Sequence, residues 1–187
     1  MILKVLDGNS IVNRAYYGVG KARLLTTRQG LHTNAIYGFV TMLQKLLDQE
    51  TPDAVCAAFD RREPTFRHKA DAAYKANRKG MPEELAEQML PLKQVLGAMS
   101  VPCYELSGYE ADDLIGTISR KCEAAGWDCT IATGDRDSLQ LITAHTHVRL
   151  LTGGKGPDGD RCMTESTFRA EYGFAPLHML DLTALAG

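Results

Sequence analysis

The sequence contains no Cys-x-x-Cys pair, no His-Glu-x-x-His run and no apolar stretch long enough to span a bilayer. Its five cysteines, at positions 56, 103, 122, 129 and 162, are an odd number without ligand spacing. This argues against a disulfide frame and a thiolate zinc site, and it fits a reducing cytoplasm. Neither sign of charge is in large excess: the net value is −2, so global charge names no partner. Internal repeats and low-complexity tracts are absent as well. The opening Met1-Ile-Leu-Lys-Val enters a strand-like run directly and lacks the shape of a signal peptide. What remains is an ordinary composition, 44% hydrophobic and 24% charged over 187 residues, enough for one domain with a proper core.

Apolar strand-like runs alternate with helix-like stretches, which predicts an α/β fold with a parallel sheet and helices on both faces. Residues 33–50 read as the clearest helix, with Ile36, Phe39, Val40, Leu43, Leu46 and Leu47 at helical spacing and Thr33 or Asn34 as its cap. Residues 83–100 form a second helix opened by Pro82, which Pro91 should kink or break. Residues 101–106 suggest a short strand. Residues 111–125 suggest a third helix, stopped by Gly126. After a strand at 147–151 and a turn-rich loop at 153–160, Thr164 caps a short helix ending near Gly173, and Pro176 opens a last one.

Acidic residues fall in four short clusters: Asp7; Asp60; Glu110, Asp112 and Asp113; and Asp135 with Asp137. Three of these follow an apolar strand-like run directly: residues 2–6, 54–59 and 129–134. In an open parallel α/β sheet, ligands bind outside the carboxyl ends of the strands. Like charges brought together there are costly unless a cation sits among them. Oxygen-only donors suit hard cations such as Mg²⁺ or Mn²⁺. Two such ions about 4 Å apart can clamp both the attacking and the leaving oxygen in phosphoryl transfer. Glu110 serves such a site best just before its helix, in nonhelical geometry, because Glu110 and Asp113 share a helical face and Asp112 points elsewhere.

One segment breaks the rhythm. Residues 61–80 carry seven basic side chains against two acidic ones, with Phe66 and Tyr74 interleaved. A basic stripe next to carboxylates is what phosphodiester chemistry needs, since bases hold the flanking phosphates. With little apolar material to bury, this segment is expected to be the most mobile part of the free protein.

Each feature also has a plain structural use. Asp7 with Gly8-Asn9-Ser10 makes a turn and helix cap. Asp60 serves as a solvated loop acid. Glu110, Asp112 and Asp113 complement a helix N-terminus. Asp135 and Asp137 serve as turn residues after Gly134. The basic stretch makes a solvated helix face, Tyr74 a core aromatic, and His68 a surface residue.

Seven runs occur in a telling order: Leu6-Asp-Gly-Asn-Ser10, Ala58-Phe-Asp60, Pro64-Thr-Phe-Arg-His68, Tyr74-Lys-Ala-Asn-Arg78, Met81-Pro-Glu-Glu84, Gly108-Tyr-Glu-Ala-Asp-Asp113 and Thr133-Gly-Asp-Arg-Asp137. Together they resemble the 5′→3′ exonuclease domain of bacterial DNA polymerase I, in the flap-endonuclease family. The resemblance covers nearly the whole chain. It implies a PIN-like or resolvase-like domain over residues 1–187, with a basic helical arch at about 61–82. The implied activity is hydrolysis of DNA phosphodiesters at a 5′ end or flap, with two divalent ions, in replication and repair. Asp7, Asp60, Glu110, Asp112, Asp135 and Asp137 would be metal-site carboxylates, with Asp113 in the outer part. Lys75 and Arg78 would act on the scissile or adjacent phosphate, and Tyr74 would stack on the terminal base. Arg67 and Lys79 would contact phosphates. The expected partner is DNA, with no membrane, and the expected state is a monomer linked covalently to a polymerase domain. The resemblance also implies two further metal-site aspartates and a helix-hairpin after a segment like residues 181–187. Neither lies in these 187 residues, so a fragment is expected, with a silent DNA-binding module as one alternative. A PIN-type ribonuclease shares the acids but normally lacks a basic insertion like residues 61–80.

Overall fold

A computed structural model describes residues 1–20, 25–71, 73–76, 80–152 and 159–186. The strands form one six-stranded sheet in the order β3-β2-β1-β4-β5-β6, where β1 is Ile2–Asp7, β2 Ala54–Ala58, β3 Cys103–Tyr104, β4 Asp128–Thr133, β5 Thr146–Leu150 and β6 Arg161–Met163. The chain divides into two compact units. One contains Met1–Asp7, Pro52–Cys56 and Ile115–Gly187; the other contains Gly8–Thr51 and Ala57–Leu114.

In the first unit β1 runs parallel to β4, with Leu3 opposite Cys129 and Val5 opposite Ile131. β4 runs parallel to β5, with Ile131 opposite Val148. Only β6 is antiparallel, pairing Met163 with Val148. Val5, Leu6, Ile131, Ala132 and Val148 are fully buried, so these strands read as near-continuous apolar runs, as parallel strands do. Helix α5 (Ala111–Ala124) ends at Gly126, which takes the left-handed conformation (φ 72°) that the sequence assigned to a helix stop. Helix α6 (Glu165–Tyr172) starts with the Thr164 hydroxyl accepting the Thr167 N–H and ends at left-handed Gly173. Pro176 opens a single 3₁₀ turn, which leads into α7 (Met179–Ala186). The strand β6 was not legible in the sequence, and most of the 153–160 loop lies outside the described residues.

In the second unit α1 (Gly8–Gly20) and α2 (Asn34–Gln49) pack at close range. A Cβ added at Gly38 would stand 2.8 Å from the Ala15 Cβ, so only glycine allows this approach. Ala35, Phe39, Leu43 and Leu46 bury one stripe of α2, and the Phe39 ring stacks 6.3 Å from that of Phe59. Thr33 stands at the cap position of α2 but makes no side-chain cap bond. The orphan amides are met from α4 (Glu83–Ala98): the Gln88 Oε1 accepts the Ala35 N–H at 2.9 Å and the Ile36 N–H at 3.4 Å. α4 continues through Pro91 rather than breaking there, losing only the ladder bond to the Glu87 carbonyl. The expected strand at 101–106 shortens to the two residues of β3, paired with β2 through Ala57–Cys103 and Ala58–Tyr104.

The basic segment is helical only in part. α3 (Phe66–Ala70) is one short helix with no buried residue, and residues 73–76 form turns. Lys75 adopts a left-handed backbone (φ 55°), so the helical arch that the resemblance implies is interrupted at this position. Arg78 and Lys79 lie outside the described residues.

Candidate metal and phosphate site

In the first unit the acids gather at the carboxyl ends of two parallel neighbours. Asp7 closes β1, is 4% exposed, and accepts the Thr133 hydroxyl at 2.6 Å from the end of β4. The same Thr133 oxygen accepts the Asp135 N–H at 2.9 Å, and the Asp135 Oδ1 accepts the Asp137 N–H at 2.9 Å. Asp7, Thr133, Asp135 and Asp137 thus form one hydrogen-bonded chain, built because β1 and β4 end side by side. Thr133 is fully buried. Its role was missed in the sequence, although its place two residues before Asp135 marks it.

In the second unit Asp60 follows β2 and is met by Asn9 from the first turn of α1. The Asn9 amide donates to the Asp60 Oδ2 at 2.7 Å, and the Asp60 N–H donates to the Asn9 Oδ1 at 3.1 Å. The other Asp60 oxygen accepts the Ala111 N–H at 2.6 Å, at the start of α5. Gly8 makes this possible, because a Cβ there would fall 2.3 Å from the Phe59 ring. Asn9 is the second residue beside these acids that sequence reasoning passed over.

Glu110 stands just before α5 and is 7% exposed. Its Oε1 accepts the Lys75 ammonium at 2.8 Å and its Oε2 accepts the Tyr74 hydroxyl at 3.1 Å. Arg67 stands 3.8 Å from the Oε2 but gives its guanidinium fork to Asp113, at 2.7 and 2.8 Å. Asp113 also accepts the Glu110 N–H at 3.0 Å. The Arg67 fork holds the Asp113 carboxyl below the usual carboxylate range, and the Arg67 pKa rises in turn. Burial disfavours the Lys75 ammonium, yet the bond to Glu110 outweighs it and the pKa is raised. Asp112 lies exposed in the first turn of α5. His68 is exposed and meets Thr65 and the edge of the Tyr74 ring, in keeping with a surface role.

The basic segment is therefore anchored, through Arg67, Tyr74 and Lys75, to the acids around Glu110. The donors in both units are oxygens only, which fits a hard divalent cation. Among the described residues, however, no group of three or more His, Cys, Asp or Glu side chains is arranged to hold a metal. In this arrangement Lys75 and Arg67 supply the positive charge that Glu110 and Asp113 require.

Residues 2–173 match the model of the 5′-3′ exonuclease, N-terminal resolvase-like domain. The chain belongs to this family. Among relatives of the 5′-3′ exonuclease domain is DNA polymerase I of Bacillus caldotenax, 40% identical over 185 residues, which cover 99% of this chain and 20% of that protein. DNA polymerase I of Mycobacterium tuberculosis is 42% identical over 185 residues, with the same two coverages. The chain spans about a fifth of the length of these curated relatives. Among solved structures, a bacteriophage T5 protein co-crystallised with metal ions superposes with a TM-score of 0.75 at 19% identity, covering all of this chain and 67% of that one. A T5 flap endonuclease in a pseudo-enzyme–product complex with DNA and metal ions gives 0.68 at 17% identity, covering 95% and 63%. These likenesses establish the resolvase-like α/β fold of the flap nucleases.

Proposed function

We propose that this exonuclease domain hydrolyses DNA phosphodiesters at 5′ ends and 5′ flaps, as a monomer in the cytoplasm, during replication and repair. The observation that carries the reading is the family match together with acids at the ends of β1, β2 and β4 and a basic segment docked on Glu110. Two divalent ions, Mg²⁺ or Mn²⁺, would be held by Asp7, Asp60, Glu110, Asp112, Asp135 and Asp137. When bound, such ions lower the pKa of water and offset charge on the leaving oxygen.

The chain's own residues bind and orient the DNA. Lys75 exchanges its bond with Glu110 for one with a phosphate oxygen, and with Arg78 it offsets charge growing on the phosphate. Lys79 extends the phosphate track. Tyr74 offers a ring to the terminal base, a contact without sequence preference. The left-handed backbone at Lys75 is a conformation a side chain rarely adopts, and such outliers gather at functional sites. The basic segment favours this reading over a ribonuclease that has only the acids.

Cleavage of a 5′-flap duplex with Mn²⁺ added tests the proposal. Product is expected with the wild type and none with Asp135→Ala. Equal cleavage by both would overturn the reading, and flap binding without cleavage by either would favour a silent DNA-binding module. Calorimetric titration with Mn²⁺ checks the ligands, with Asp112→Ala expected to bind at least tenfold more weakly.

A further inference from the structure

We propose that Asp113 and Arg67 are positioning residues that clasp the basic segment onto the start of α5, and that neither touches metal or phosphate. The inference rests on the nuclease reading and revises the parts that the family resemblance implied for these two side chains. Both Asp113 oxygens are taken by the Arg67 fork, and the Oδ2 also accepts the Glu110 N–H. A charge-assisted fork of this kind is strong and fixes orientation. It commits the Nη1–Nη2 edge of the guanidinium to Asp113.

Further contacts run along the same seam. The Phe66 N–H donates to the Gly108 carbonyl at 2.9 Å. The Phe66 ring lies 5.6 Å from that of Tyr109, and the Arg67 guanidinium lies 4.5 Å over the Phe66 ring. Gly108 itself has a left-handed backbone (φ 84°), which suits glycine and turns the chain toward α3. Two consecutive residues of α3 are thus joined to three positions within 108–113. Seven and eight residues after Arg67, Tyr74 and Lys75 reach Glu110. The clasp decides where Lys75 arrives, because α3 has no buried residue of its own to hold it. Arg67 differs in this from Lys75, whose single ammonium can trade one oxygen partner for another.

Hydrogen exchange on the protein without DNA or metal is the first test. Asp113→Asn and Arg67→Gln should each speed exchange across residues 66–76 by about tenfold, with the core amides of α2 unchanged. Unchanged exchange at 66–76 would overturn the clasp whatever the domain does to DNA. Calorimetric titration with Mn²⁺ should give the same affinity for Asp113→Asn as for the wild type, and loss of a site would return Asp113 to the ligands. On 5′-flap DNA, Arg67→Gln should weaken binding at an unaltered salt slope. A slope smaller by roughly one would make Arg67 a phosphate contact. Asp113→Asn should weaken flap binding in the wild-type background and have no further effect beside Lys75→Ala, since it acts through Lys75. Full additivity of the two would overturn that coupling. A wild type that binds no flap DNA would sink the nuclease reading and leave the exchange result to decide the clasp.

Discussion

At the scale of single residues, the site depends on side chains that carry no charge. Thr133 ties Asp7 to the turn that bears Asp135, using one hydroxyl as donor and acceptor. Thr133→Val keeps the shape and removes both bonds, leaving the buried Asp7 oxygen and the Asp135 N–H without this partner. Such a loss costs about 1–3 kcal/mol, so the urea midpoint should fall and Mn²⁺ affinity should fall with it. Unchanged values for both would mean that the hydroxyl is dispensable. Gly8 is a steric case. In Gly8→Ala the new methyl must displace the Phe59 ring, which stacks on Phe39 in the core. Overpacking of this kind costs roughly 1–3 kcal/mol and would also shift Asp60 and Asn9. Thermal unfolding is the measurement, and a variant as stable as the wild type would show that the ring yields freely. Asp7, Asp60 and Asp135 were readable in the sequence because strand-like runs end at them. Thr133 and Asn9 were not, because a hydroxyl or amide acquires its role only when two distant strand ends meet.

At the scale of elements, helix ends carry much of the order. Glu123, near the end of α5, accepts the hydroxyls of Thr143 and Thr146 and so ties the helix to the entry of β5. Burial pushes its carboxyl up, but these hydroxyls, with Arg120 and His145, outweigh burial and hold it below the usual range. A carboxyl depressed in the folded state contributes stability that is present above its unfolded pKa of about 4.3 and is lost as pH falls through the folded value. The stability gap between wild type and Glu123→Gln should therefore be widest near neutral pH and close below about pH 4. A gap independent of pH would remove the carboxylate charge from the argument. Element recognition followed the strength of the periodic signal. α2 and α5 were placed within a residue or two, because apolar stripes and a stop glycine mark them. α1 was read only as a possible turn and cap, since Asp7-Gly8-Asn9-Ser10 looks like both. The cap of α2 comes from Gln88, 53 residues beyond Ala35, which no local pattern reveals. Pro91 was expected to kink or break α4; the helix continues through it, since one missing ladder bond is tolerated in a helix that buries Leu85, Leu92 and Leu96.

At the scale of the whole molecule, the charge balance makes the proposed DNA binding a local matter. A chain of net charge −2 has no general attraction for a polyanion, so that attraction falls to the basic residues of 61–80 other than Arg67. In the free protein part of that charge is already committed, since Lys75 lies on Glu110. Two effects follow that salt separates. The slope of log affinity against log salt counts phosphates neutralised, at about 0.9 each, whereas the cost of releasing Glu110 enters the affinity at every salt concentration. Replacing Lys75 and Arg78 together by Ala should lower the slope by roughly two on a 5′-flap substrate. The effect should be equal on two flaps of unrelated sequence, because phosphate contacts carry no base information. Glu110→Gln should do the opposite in the absence of divalent ions: affinity rises about threefold or more while the slope stays that of the wild type. If the double variant keeps the wild-type slope, the basic stretch is a solvated face. If Glu110→Gln weakens flap binding, Glu110 holds Lys75 in its working position rather than competing with DNA for it.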